Sequence, residues 1–126
     1  MDPHRLLILD DDQQLLDLYV EAARQRGYDV SAYTRFEDAR AHLAREVPDA
    51  LIVDVRVGNF NGLHLVVLFR KHKPSAPVVV VSGYDDPDIR NEAEKLEAQF
   101  LVKPVSFRLL IRRIKMGLRS DPDERN

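Results

Sequence analysis

Leu6-Leu7-Ile8-Leu9-Asp10-Asp11-Asp12 decides how this chain is read: four apolar residues run directly into three carboxylates. An apolar run without polar alternation suits a strand covered on both faces, as in a parallel sheet. The abrupt arrival of charge at Asp10 marks the carboxyl end of that strand. The same signature recurs along the chain. The run 51–53 ends at Asp54, 78–81 ends at Ser82 and 100–102 ends at Lys103, while 28–33 is weaker and suits an edge.

Helical periodicity fills the intervals. Leu15, Leu18, Tyr19 and Ala22 share a face, Asp12 is placed to cap their helix, and Gly27 marks its stop. Thr34 and Glu37 have capping-box spacing ahead of Phe36, Ala39, Leu43 and Val47. Leu63, Val66, Val67 and Arg70 lead to a stop near Pro74. Asp86-Pro87 reads as an N-cap with proline at the first helical position, opening a weakly apolar helix to about Glu97. Ser106 can cap a last helix with Phe107, Leu110, Ile111, Ile114 and Leu118 on one face. Strand and helix alternate five times with no repeat or internal linker, which predicts an α/β fold: a doubly wound, five-stranded parallel sheet. One domain is expected over 1–119, with 120–126 a polar tail or the start of a linker.

Composition narrows the function classes. With 126 residues, 44% hydrophobic and 32% charged, the chain can build one core and is not of disordered composition. A net charge of -2 argues against direct nucleic-acid binding. The absence of cysteine excludes disulfides, thiolate metal sites and thiol nucleophiles. No basic-then-apolar leader stands at the start and no apolar run is long enough to span a bilayer. A cytoplasmic protein without membrane contact is the expectation. His4, His42, His64 and His72 lack ligand spacing.

In open α/β sheets, sites form at the carboxyl ends of the strands. Here four strands present Asp10 and Asp11, then Asp54, Ser82 and Lys103. A lone aspartate at a strand end is most often a turn or cap residue, and Asp12 is read so. The others form a set whose charges explain one another. Three packed carboxylates repel, and their oxygens suit Mg²⁺. With Mg²⁺ and Lys103 the formal charge cancels. An incoming phosphoryl group would share its oxygens among metal, lysine and the Ser82 hydroxyl. Asp54 would then act as a carboxylate nucleophile, forming an acyl phosphate.

Over essentially its whole length the chain resembles the receiver domains of two-component response regulators. The matching segments, in order, are Leu9-Asp10-Asp11-Asp12, Val53-Asp54 followed by Asn61-Gly62, Val81-Ser82-Gly83, and Val102-Lys103-Pro104. The resemblance implies the flavodoxin-like strand order 2-1-3-4-5. It implies Mg²⁺ held by Asp10, Asp11, Asp54 and the backbone carbonyl of Arg56. It further implies phosphotransfer to Asp54 from a sensor histidine kinase or phosphotransfer protein, with no enzymatic activity beyond self-catalysed phosphotransfer and dephosphorylation. Ser82 and Phe100 look like the family's switch pair, and Arg56, Gly83 and Tyr84 would flank the phosphoryl group. One departure is Gly58, where the family usually has proline, and a more mobile loop is expected there.

Two other readings stand beside this one. The first is a receiver-like interaction module that is not phosphorylated, supported only by Gly58 and by a second departure, Arg56 at the second position after Asp54. The second is an aspartate-nucleophile phosphatase built on Asp10-x-Asp12. Against it, the chain has no room for a cap domain, and Gln14 stands where that motif wants threonine or valine. The last two helices carry opposite charge. Arg108, Arg112, Lys115 and Arg119 form a basic stripe, while Asp88, Glu92, Glu94 and Glu97 precede it. A patch with both signs can pair with itself across a two-fold axis, so a homodimer through these helices is a candidate.

Overall fold

A computed structural model describes residues 2–120. In chain order the elements are β1 (Arg5–Leu9), α1 (Gln13–Gln25), β2 (Asp29–Tyr33), α2 (Phe36–Arg45), β3 (Ala50–Asp54), β4 (Arg56–Val57), β5 (Phe60–Asn61), α3 (Leu63–His72), β6 (Val78–Ser82), α4 (Pro87–Lys95), β7 (Gln99–Val102) and α5 (Phe107–Ser120). Five strands form one parallel sheet in the order β2-β1-β3-β6-β7. With the small β4–β5 ribbon set aside, this is the expected order 2-1-3-4-5. The register pairs Leu9 with Val53, Asp54 with Val81 and Ser82 with Val102, so the carboxyl ends of four strands stand along one edge.

The apolar runs are explained by what covers them. β3 and β6 are buried at every residue. Side chains alternate between faces. Leu7, Leu9, Leu51 and Val53 face Phe36 and Leu43 of α2 and Val66 and Phe69 of α3. Leu6, Ile8, Ile52 and Val79 face Leu16 and Tyr19 of α1 and Leu110 and Ile114 of α5. Burying each such side chain contributes about 1.5–3 kcal/mol, which makes this double layer the main source of stability.

Several local expectations are corrected. In α1 the buried residues are Leu16, Tyr19 and Ala23, while Leu18 is 64% exposed. Apolar residues occur on most of the turn, and the contact of Tyr19 with Phe107, ring centroids 5.2 Å apart, selects the inward face. Thr34 does not form a capping box. Arg35 occupies the N-cap without a side-chain bond, and Glu37 turns instead to Arg40, 2.8 Å away. Helix α2 starts one residue late because Phe36 is drawn into the core, stacking on Phe60 at 4.9 Å.

Val67 is exposed, and Leu65 and Phe69 take inward positions beside Leu63 and Val66. Arg70 is no part of an apolar face. Its guanidinium donates to the carbonyls of Leu96 and Ala76, each at 2.7 Å, and of Lys73 and Glu97, each at 3.0 Å. Helix α4 ends at Lys95, and Glu97 takes a left-handed conformation with φ +56°.

The loop around Gly58 forms a hairpin. Arg56 pairs with Asn61 and Val57 with Phe60 around a two-residue turn, Gly58-Asn59, with Gly58 at φ +60°. Other expectations hold: Asp12 caps α1, Gly27 follows it at φ +86°, Asp86 caps α4 ahead of Pro87, and the Ser106 hydroxyl accepts from the Leu109 N–H. Except for Ser120, which closes α5, the expected tail lies outside the described residues. Among the described residues no helix is long and apolar enough to cross a membrane.

Candidate functional site

The buried polar or charged residues among those described are Asp10, Asp54 and Ser82, at 3%, 7% and 6% exposure. All three stand on the edge that the register aligns. Burying a charge is costly unless it is compensated, so their company is informative. Lys103 arrives at the end of β7, its backbone N–H bonded to the Ser82 carbonyl at 2.7 Å, with Pro104 following through a cis peptide. Its ammonium donates to Asp54 Oδ2 at 3.2 Å and to Asp10 Oδ2 at 3.4 Å. The remaining Asp10 oxygen accepts the Asp12 N–H at 2.9 Å. Asp11 is exposed, and its Oδ2 accepts the Gly58 N–H at 3.2 Å. One carboxylate oxygen from each of Asp10, Asp11 and Asp54 lies within 4.8 Å of the others.

Electrostatics make this an acceptor of positive charge. Burial pushes the Asp54 carboxyl above its ordinary pKa and the charge of Asp10 adds to the rise, while Lys103 opposes it. Lys103 moves up as well: burial works against its charged form, but the neighbouring Asp10 and Asp54 outweigh that. The Lys103 ammonium meets two of the three carboxylates, Asp10 and Asp54, and the donor set is entirely oxygen. Those properties fit a hard divalent cation such as Mg²⁺.

Beside the cluster lies a cleft of about 390 Å³ between the β4–β5 hairpin and the start of α4. Ser82, Arg56 and Tyr84 line it, with Asp86 and Ile89 behind. The Ser82 hydroxyl accepts the Tyr84 N–H at 3.1 Å. Arg56 stacks on Tyr84, its Cζ 5.3 Å from the ring centroid. Gly83 has open space around it. Phe100 is half-buried on β7, its ring covered by Arg90, which also pairs with Asp85 at 2.7 Å. The structure thus gathers Asp10, Asp11, Asp54 and Lys103 into one cluster, sets Ser82, Arg56 and Tyr84 beside it, and places Phe100 one strand away under α4.

Three features of the site lay outside the sequence reading. Gly62 packs so closely that a Cβ there would collide with the Asp54 carbonyl oxygen, and its N–H donates to the Val55 carbonyl at 2.7 Å. The Gly58 hairpin had a signal, Val57-Gly58-Asn59-Phe60, a two-residue Gly-Asn turn between β-formers. The Arg90–Asp85 cover over Phe100 had none. A larger cavity of about 730 Å³ lies away from these strand ends, lined by His4, Arg26, Tyr28 and Lys115 among others.

Comparison with known proteins agrees with this fold. The family model described as "Response regulator receiver domain" matches residues 6–115. The chain is 28% identical over 116 residues to the sensory transduction protein BceR of Halalkalibacterium halodurans, covering 91% of this chain and 50% of that protein. It therefore spans about half the length of that curated relative. The crystal structure of a CheY-like response regulator receiver domain protein from Methanospirillum hungatei superposes with TM-score 0.89 at 25% identity, covering 97% of this chain and 98% of the other. A response regulator protein from Burkholderia pseudomallei, crystallised with a phosphorylated aspartic acid, calcium ion and citrate, has the same fold. Its TM-score is 0.81 at 23% identity, over 96% of this chain and 72% of that one.

Proposed function

The chain belongs to the response regulator receiver domain family, and on that premise we propose that it signals by accepting a phosphoryl group on Asp54. The phosphohistidine of a sensor kinase or phosphotransfer protein is the donor: its P–N bond breaks as a bond forms from an Asp54 oxygen to phosphorus, leaving an acyl phosphate. The observation that carries this reading is the buried Asp54 held 3.2 Å from Lys103 within a cluster of three carboxylates.

Asp10, Asp11, an Asp54 oxygen and the Arg56 carbonyl are the groups that would hold Mg²⁺, which when bound supplies positive charge to the phosphoryl oxygens. Lys103 exchanges its Asp54 contact for a phosphoryl oxygen and Ser82 donates its hydroxyl to another. In moving to that oxygen Ser82 leaves the Tyr84 N–H, and Phe100 follows. Self-catalysed transfer and loss of the phosphoryl group belong to the same proposal. So does self-association through α4 and α5, whose acidic and basic residues named above are exposed.

The test is incubation with acetyl phosphate and Mg²⁺. One phosphoryl group should be added by mass, and it should be absent after Asp54→Asn or chelation. Undiminished labelling of the Asn variant refutes the assignment, and an unlabelled wild-type chain returns the site to the reading as a non-phosphorylated module.

A further inference from the structure

The β4–β5 hairpin reaches the acidic cluster through the hydrogen bond from Gly58 N–H to Asp11 Oδ2. Asp10 and Asp54 are fixed by burial and by Lys103, but Asp11 is exposed and has no such packing. With the Gly58 bond in place, Asp11 lies within reach of the other two carboxylates. A carboxylate has two oxygens, so accepting an N–H at one leaves the other for a cation. Partners of this kind orient ligands and raise affinity.

The hairpin is built to keep that donor in place. Gly58 has φ +60°, which proline cannot adopt and other residues adopt only with strain. Phe60 stacks on Phe36 with rings 4.9 Å apart and 9° from parallel, and Gly62 ties the hairpin's far end to Val55. We infer that the Gly58 backbone N–H is a positioning donor for the cation site, holding Asp11 toward Asp10 and Asp54. This inference rests on the proposed Mg²⁺ reading. It also changes what the departure at Gly58 means: in place of a proline with no N–H, this chain has a donor to a metal ligand.

Calorimetric titration with Mg²⁺ of the wild-type chain, Gly58→Ala and Gly58→Pro provides the test. Both variants strain the turn, proline the more because it cannot hold φ +60°, and only proline removes the N–H. Amide exchange at Gly58 in wild type and Asp11→Ala is therefore measured beside the titration. Affinity should fall about 10-fold further in Gly58→Pro than in Gly58→Ala. Equal affinities in the two variants overturn the inference while leaving the Mg²⁺ site standing. No binding by the wild-type chain removes both. Should Gly58→Pro fail to fold, amide exchange at Gly58 decides. It should be faster in Asp11→Ala than in wild type, and equal rates overturn the inference.

Discussion

The guanidinium of Arg90 lies over the face of Phe100, Cζ 4.7 Å from the ring centroid, while its Nη2 donates to Asp85 Oδ1 at 2.7 Å. One side chain on α4 thus covers the aromatic ring of β7 and grips the loop that leaves Ser82. In the proposed switch, Ser82 abandons the Tyr84 N–H, the loop carrying Asp85 shifts, and the hold on Phe100 relaxes. An exposed cation–π contact contributes about 0.5–1 kcal/mol. If that energy favours the unphosphorylated arrangement, Arg90→Ala should bind the phosphoryl mimic beryllofluoride more tightly, by up to about 5-fold. Unchanged affinity would show that Arg90 is no part of the switch.

Asp54→Asn should stabilise the metal-free protein at neutral pH. Burial holds the Asp54 carboxyl above its ordinary pKa, so the folded state keeps this proton longer than the unfolded state does. Its contribution to stability is therefore fully present below the ordinary carboxylate value and is lost as pH rises through the raised one. The Asn variant should melt higher at pH 7, by about 3–5 °C for each kcal/mol relieved in a domain of this size. The gain should shrink as pH falls into the ordinary carboxylate range. A variant that melts lower at pH 7 would mean that the Lys103 contact outweighs burial.

The Arg56–Tyr84 stack flanks the expected phosphoryl position and can obstruct an attacking water. Phosphate release from the phosphorylated chain should be faster in Arg56→Ala with Tyr84→Ala than in wild type. Because the two side chains support one another, the single changes should not add; a coupling of about 0.5–1 kcal/mol is expected from a double-mutant cycle. Equal release rates would leave the stack as surface packing.

Gly62→Ala should be costly for a reason unrelated to backbone freedom. The added carbon would meet the Asp54 carbonyl oxygen and lie 2.7 Å from Val53 Cγ2. Overpacking of this kind costs about 1–3 kcal/mol, and here it would also displace the strand that carries Asp54. Gly83→Ala is the control: its new carbon meets open space, and a change within about 0.5 kcal/mol is expected from denaturant melts.

Self-association should follow phosphorylation and weaken with salt, because exposed charges of α4 and α5 would meet across the interface. Sedimentation of the Mg²⁺- and beryllofluoride-loaded chain at low and high salt measures it. A monomer at high concentration in low salt would remove the dimer from the proposal.

The sequence by itself determined the sheet and the centre of its chemistry. β3 and β6 are buried on both faces, so apart from their last residues, Asp54 and Ser82, they are apolar. Runs such as 51–53 and 78–81, alternating with amphipathic stretches, read as strands of a covered parallel sheet. Each run stops at the carboxyl end of its strand with a polar or charged residue, which is why Asp10, Asp54, Ser82 and Lys103 could be placed on one edge without coordinates. Tertiary structure decided what local pattern left degenerate. Apolar residues at 15, 16, 18, 19 and 20 offer α1 several inward faces, and only its packing on the sheet and against α5 chooses Leu16, Tyr19 and Ala23. Thr34 and Glu37 satisfied a capping pattern that lost to burial of Phe36. Asp11 and Gly58 lie 47 residues apart, and Arg90 reaches Phe100 from another element; such contacts depend on how helices and hairpin settle on the sheet, and no periodicity records them.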